Sequence, residues 1–247
     1  YSRAYPAEMA ITERLAGGGA ALIVWPEARY KAYFDQPHVR TAYKDSISNL
    51  NTNLLFQDIE RVPDGSEGRT HRQYNVAGMI NSNGNLVGKY QKMKRIAFGE
   101  YVPLVSDIPI LKAWVEGFFG RFLNEMAQGK SHHFFEHSKL TIIPLICYEV
   151  MFPEFVAQAL AAAQTPISTQ APISTQTRTP AQTENKPGKL LVGLSSNGWF
   201  GATRQPYQHV NASILRAVEN RTPLVHAVNN GPSIVALANG RVIFMSD

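Results

Sequence analysis

A single α/β domain is predicted for this chain of 247 residues by three features. Short unbroken apolar runs alternate with amphipathic helix patterns, the rhythm of sheets joined by crossover helices. Apolar residues make up 44% of the chain and charged residues only 17%, which supplies a sizeable core and excludes global disorder. The strand rhythm also resumes unchanged after the one low-complexity stretch, so nothing divides the chain into two domains.

The elements follow in order. Tyr5 to Ala16 carries Met9, Ile11 and Leu15 among charges and reads as a helix, ended by Gly17-Gly18-Gly19 because glycine tolerates the left-handed conformation of a helix C-terminus. Ala20-Ala21-Leu22-Ile23-Val24-Trp25 is continuous enough to be a strand buried on both faces. A helix over Gln36 to Leu50 and a strand at Asn53-Leu54-Leu55-Phe56 complete a crossover unit, which predicts a mostly parallel inner sheet. Asn83-Gly84 lies between Tyr74–Ile80 and Leu86–Tyr90, a hairpin signal. Further strands are expected at Leu140–Ile146, Leu190–Leu194 and Leu224–Val228, with a helix over Phe155–Ala163. Another helix spans Tyr207–Asn220 with Val210, Ile214, Leu215 and Val218 on its inner face. Ser233–Leu237 and Val242–Phe244 around Asn239-Gly240 form a closing hairpin.

Gln164 to Lys186 departs from this pattern. It is rich in Thr, Gln, Pro and Ser and contains Thr165-Pro166-Ile167-Ser168-Thr169-Gln170 followed by Ala171-Pro172-Ile173-Ser174-Thr175-Gln176. With little apolar area to offset its ordering entropy, the region at about 164–188 reads as a flexible insertion. Leu104 to Phe122 holds Ile108, Leu111, Trp114, Phe118 and Phe119, and reads equally as helix packing or as an apolar arm that dips into a lipid interface.

Charge and cysteine content narrow the function. The formal net charge is +5 without long basic runs, weak support for nucleic acid and compatible with an anionic surface. One cysteine excludes an internal disulfide framework and a multi-thiolate zinc site. His133 and His137 stand four apart, as helical metal ligands would, but no third ligand accompanies them. Lys89, Lys92, Lys94 and Arg95 read as a solvated basic face or a contact for lipid headgroups. No run reaches the roughly 18–20 apolar residues of a membrane span. The chain opens without Met or a signal pattern and reads as a piece of a longer protein.

Three buried strands lead directly to a reactive group: Glu27 after the first, Lys92 after the hairpin and Cys147 after Leu140–Ile146. Singly, each has a bland reading as rim charge or small core residue. Together, at the carboxyl ends of strands where α/β folds gather ligands, they form a candidate site.

The residues around them carry a resemblance. Trp25-Pro26-Glu27, the block from Tyr90-Gln91-Lys92 through Phe98-Gly99-Glu100-Tyr101-Val102-Pro103, and Ile146-Cys147-Tyr148-Glu149 resemble the nitrilase, or carbon–nitrogen hydrolase, superfamily. Within it they are most similar to the apolipoprotein N-acyltransferase branch. Ser196-Asn197-Gly198-Trp199-Phe200-Gly201, Gln208-His209, Arg216–Arg221 and Asn229-Asn230-Gly231 extend the similarity over nearly the whole chain. Ala97 stands where the branch commonly has proline, and Ser195-Ser196-Asn197 where it has Ser-Asn-Asp.

The resemblance implies a four-layer αββα sandwich, with its first strand and the membrane helices lying outside this chain. It implies Cys147 as nucleophile, Glu27 as general base and Lys92 as third triad member, with Glu100 and Glu149 as auxiliary acids, Trp199 and Phe200 at substrate-binding positions, and neither cofactor nor metal. A thiol of pKa about 8.5 is mostly protonated at neutral pH and needs a base. The oxyanion formed on attack needs donors, here Lys92 and the N–H of Tyr148. The implied reaction moves a fatty acyl group from phospholipid to an amine such as a lipoprotein N-terminus, at a bacterial inner membrane with this domain facing the periplasm. Two other readings stand beside it: a soluble amidase with water as acceptor, and a non-catalytic membrane-assembly component that keeps the fold.

Overall fold

The computed structural model describes residues 1–28, 30–64, 71–96, 100, 126–164, 187–201 and 203–246, without the side chain of Trp199. The Ala97-Phe98-Gly99 segment, the Leu104–Phe122 stretch and nearly all of the Thr/Gln-rich insertion lie outside the described residues.

The chain runs α1 (Ala7–Gly17), β1 (Leu22–Val24), α2 (Pro37–Leu50), β2 (Asn53–Pro63), β3 (His71–Ile80), β4 (Leu86–Gln91), β5 (Phe135–His137) and β6 (Leu140–Ile146). It continues through α3 (Pro153–Ala162), β7 (Gly188–Ser196), α4 (Gln205–Glu219), β8 (Leu224–Asn229), β9 (Ile234–Ala236) and β10 (Val242–Met245). Two sheets result, in the orders β1-β2-β3-β4 and β10-β9-β8-β7-β6-β5.

Period-two alternation stacks them. Leu54 and Phe56 join Met9, Val39, Tyr43 and Ile47 of the two N-terminal helices, whereas Leu55, Ala77 and Met79 join β6 and β7 in the other cluster. The first sheet therefore shows α1 and α2 one face and the second sheet the other. Phe155 and Val156 of α3 and Val210 and Ala217 of α4 also pack in the second cluster. The layers run helices, sheet, sheet, helices: the expected αββα sandwich.

Local chemistry sets the boundaries. Gly18 caps α1 and Gly19 follows at φ +86°; Pro37 opens α2 and Asn51 closes it in the left-handed region. In the β3–β4 turn Gly84 has φ +76°, and Asn81 Oδ1 accepts from the N–H groups of Asn83 and Asn85.

Two expectations need correction. The first sheet is mostly antiparallel, since only β1–β2 is parallel and β2–β3–β4 is a meander; the hairpin sends the chain straight back, whereas a parallel return needs a crossover. Parallel pairing concentrates in the second sheet, at β6–β7 and β7–β8. The inner face of α4 is also more polar than expected. His209, Val210, Ser213, Arg216 and Ala217 are buried, while Leu215 and Val218 are exposed. Buried polar partners, described below, outweigh the apolar preference of two side chains. His137 ends β5, and His132 packs 5.2 Å from the Phe155 ring. No metal-holding group of His, Cys, Asp and Glu occurs among the described residues, and no helix among them is long and apolar enough to cross a membrane.

Candidate active site

The site is assembled where β1, β4 and β6 end. β1, β2 and β4 run in one direction, so the chain leaves β1 and β4 at the same edge of the first sheet. Parallel pairing with β7 brings the end of β6 to the facing edge of the second sheet.

Glu27 lies three residues beyond β1, on a loop held from β2. Asp58 accepts from the backbone N–H groups of Lys31 (2.8 Å) and Tyr33 (2.6 Å). Gln57 Oε1 accepts from the N–H of Ala28 at 3.2 Å. Trp25 is buried and donates its indole N–H to Thr12 Oγ1 of α1 at 2.8 Å, fixing the start of the loop.

Lys92 follows β4 immediately. Its N–H donates to Asn75 O and its carbonyl accepts from the N–H of Gly129, both at 2.8 Å, so the sheet pattern continues past the strand. The side chain is 2% exposed and its Nζ donates to Glu100 Oε1 at 2.8 Å. The basic cluster is therefore not one face: Lys89 pairs with Glu60 outside, while Lys92 points inward. Burial works against the ammonium, but Cys147, Glu100 and Glu27 together raise its pKa, so it stays charged.

Cys147 follows β6 at φ +53°, in the left-handed region where a non-glycine residue is strained. It opens a 3-10 turn, Cys147–Met151. Burial and then the negative charge of Glu27 push its thiol pKa up, and Lys92 pulls it back. The resting thiol is protonated and needs a base, and Glu27 is the carboxylate whose charge acts on it most strongly. The three residues singled out in the sequence thus converge.

The two auxiliary acids do different things. Glu100 touches Lys92 and is steadied by the N–H of Ile96, 2.9 Å from Oε2. Glu149 is wholly buried and clamps backbone: Oε1 accepts from Tyr90 Oη and Met93 N at 2.8 Å and Lys94 N at 2.9 Å, and Oε2 from Ile146 N at 2.8 Å. It ties the chain just after Lys92 to the chain just before Cys147. Burial raises its pKa, while the N–H groups of Ile146 and Lys94, the Lys92 charge and the Tyr90 hydroxyl oppose the rise. Trp199 and Phe200 lie in the short turn Gly198–Phe200 after β7, closed by a bond from Phe200 N to Asn197 O at 3.0 Å.

Sequence reasoning missed two groups. Asn75 on β3 donates Nδ2 to Glu27 Oε1 at 2.8 Å and reaches Glu100 Oε1 at 3.3 Å, linking the two carboxylates. Gln57 Nε2 in turn donates to Asn75 Oδ1 at 2.8 Å. Their signal was a polar residue inside an apolar strand, which when buried needs a specific partner.

Gly129 supplies a test of this scaffold. A Cβ there would lie 2.1 Å from the carbonyl oxygen of Gln91, so Gly129→Ala must push the 126–129 segment off the end of β4. Such overpacking costs typically about 1–3 kcal/mol. A lower thermal midpoint together with slower alkylation of Cys147 is expected; an unchanged midpoint would show that the segment is not needed to hold Lys92.

The fold and this site define the class of protein. Residues 6–247 match the carbon-nitrogen hydrolase family model, and the chain belongs to that family. Among curated relatives, the apolipoprotein N-acyltransferase of Geobacter metallireducens is 28% identical over 240 residues, covering 95% of this chain and 40% of that protein. That of Rhodopseudomonas palustris is 29% identical over 227 residues, covering 90% and 37%. This chain spans about two fifths of the length of these relatives. Among solved structures, an amidase of the nitrilase superfamily from Nesterenkonia AN1 superposes with a TM-score of 0.60 at 17% identity, covering 96% of this chain and 78% of that one. That likeness is one of fold.

Proposed function

We propose that this chain is the thioester-forming domain of an apolipoprotein N-acyltransferase, acting on a phospholipid acyl donor and the N-terminal amine of a lipoprotein. One observation carries the reading: a buried, charged Lys92 is paired with Glu100 at 2.8 Å, Asn75 ties Glu100 to Glu27, and the charges of Lys92 and Glu27 both act on the Cys147 thiol.

The chemistry follows from that arrangement. Glu27 takes the thiol proton as Cys147 Sγ attacks the ester carbonyl of the donor, and the negative charge on oxygen is met by Lys92 Nζ and the Tyr148 N–H. Collapse breaks the C–O bond. The lysophospholipid leaves as an alcohol with the proton from Glu27, and the acyl group stays on sulfur. In the second half the acceptor amine attacks the thioester, the C–S bond breaks, and the amine proton passes by way of Glu27 to the departing thiolate. Asn75 holds Glu27 in line for both transfers. On this reading Trp199 and Phe200, after β7, contribute to binding the acyl chain. The same reading puts the domain on the periplasmic side of a bacterial inner membrane.

Intact-mass analysis after incubation with detergent-dispersed phospholipid tests it. A fatty acyl adduct on Cys147, absent in Cys147→Ala and discharged by a peptide bearing a lipidated N-terminal cysteine, is the expected result. Discharge by water as fast as by the peptide would favour an amidase-like hydrolase. Complete absence of an adduct on a thiol that iodoacetamide still alkylates would leave the fold without the proposed transfer.

A further inference from the structure

At the carbonyl of Cys147, a buried polar network has no part in the reaction just described. His209 of α4 is 1% exposed; its Nε2 lies 3.2 Å from the Cys147 carbonyl oxygen and its Nδ1 3.0 Å from Asn197 Oδ1. Behind it, at 4.8 Å between ring centroids, His226 of β8 lies between Ser195 Oγ (2.6 Å) and Ser213 Oγ (2.8 Å). Gly193 makes room for that ring, since a Cβ there would lie 2.5 Å from it.

Proton counting settles the roles. Burial first, then the Lys92 charge, hold His209 down to about 4 although the Cys147 carbonyl opposes this, so the imidazole is neutral and has one N–H. A carbonyl oxygen can only accept, so that N–H is on Nε2. Nδ1 then carries a lone pair and cannot face another acceptor. Asn197 Nδ2 is buried without a partner, and a half-turn of the amide exchanges its oxygen and nitrogen. The half-turned amide donates to Nδ1, which removes the clash of two acceptors and gives the amide nitrogen a partner.

The Cys147–Tyr148 peptide is planar, with its C=O and N–H pointing in opposite directions. A donor that fixes the carbonyl therefore fixes the direction of the Tyr148 N–H, and does so at a residue whose positive φ is strained. We infer that His209 is a positioning residue for acylation of Cys147: its Nε2–H, held in that tautomer by Asn197, pins the Cys147 carbonyl and aims the Tyr148 N–H at the developing oxyanion. The inference rests on the transfer chemistry proposed above and adds to it a residue that never touches substrate.

The test separates oxyanion stabilisation from thiolate reactivity. Alkylation by iodoacetamide forms no oxyanion; acylation by p-nitrophenyl hexanoate does. His209→Ala should slow acylation by about 30–100-fold, toward the loss seen on removing one oxyanion donor, with KM and alkylation changed less than about threefold. His209→Gln, whose amide nitrogen reaches as far as Nε2, should recover to within about tenfold of the unaltered chain. Should the alanine variant fail to fold, His209→Asn, too short to reach the carbonyl, takes its place. Equal slowing of the short and glutamine variants, or alkylation falling in parallel with acylation, would overturn the inference. Nitrogen NMR reads the network directly: an Nε2–H tautomer and a shifted Tyr148 amide in His209→Gln are expected, and an Nδ1–H tautomer would sink the assignment. If the unaltered chain does not acylate at all, the transfer reading fails, and the tautomer and the Tyr148 amide still decide the network.

Discussion

Lys92→Arg is expected to slow formation of the Cys147 acyl-enzyme by at least about a hundredfold, in line with loss of an oxyanion-stabilising donor. The substitution keeps the charge. It changes shape, replacing a compact ammonium by a planar fork at a side chain only 2% exposed and already 2.8 Å from Glu100. A planar fork held by Glu100 does not present the compact donor that the ammonium offers to the oxyanion. An intact-mass time course with an acyl donor measures the effect. Acylation at near the normal rate would show that Lys92 supplies charge alone and takes no positional part.

Glu149→Ala is expected to cost the most stability of any single change considered. Four donors converge on its carboxylate in a wholly buried site: the Tyr90 hydroxyl and the N–H groups of Met93, Lys94 and Ile146. Each donor left unmade costs about 1–3 kcal/mol, and losing the buried partner altogether about 3–5 kcal/mol even after the chain relaxes. Glu149→Gln tests the clamp more finely. Its amide oxygen can serve Tyr90, Met93 and Lys94, but the NH2 group then faces the N–H of Ile146, for a smaller loss of about 1–3 kcal/mol. Because the clamp joins the ends of β4 and β6, acylation should fall in the glutamine variant even where it is folded. Chemical denaturation read beside the acylation rate checks both; a glutamine variant as stable and as fast as the unaltered chain would show that Glu149 acts only as a charge near Lys92.

These two carboxylates show how far a sequence reaches. Glu100 and Glu149 were singled out together, as acids near a triad, and both are there. Their difference was not legible: one neutralises an ammonium and the other ties backbone. Which of these a carboxylate does depends on which atoms surround it, and those atoms come from β4, β6 and the segment after Lys92, distant in sequence. Asn75 and Gln57 were missed for the same reason, and His209 was legible only as part of a motif block. A polar residue in an apolar run signals only that some partner exists, and the partners of Asn75 and Gln57 lie on other segments of the chain.

What the sequence by itself determined is local or repetitive. Glycines marked the end of α1, and Asn83-Gly84 the β3–β4 turn, because positive φ has a residue preference. Unbroken apolar runs marked strands buried on both faces. Motif blocks around Glu27, Lys92 and Cys147 marked the family. Only the tertiary structure decided that the first sheet is mostly antiparallel, that Lys92 leaves its neighbouring bases to enter the core, and that the inner face of α4 is polar. Each of these turns on a free-energy balance between groups far apart in the chain. An ammonium is buried only if Glu100, Glu27 and Cys147 repay its lost hydration, and two histidines are buried near Cys147 only because Ser195, Ser213, Asn197 and the Cys147 carbonyl meet them there.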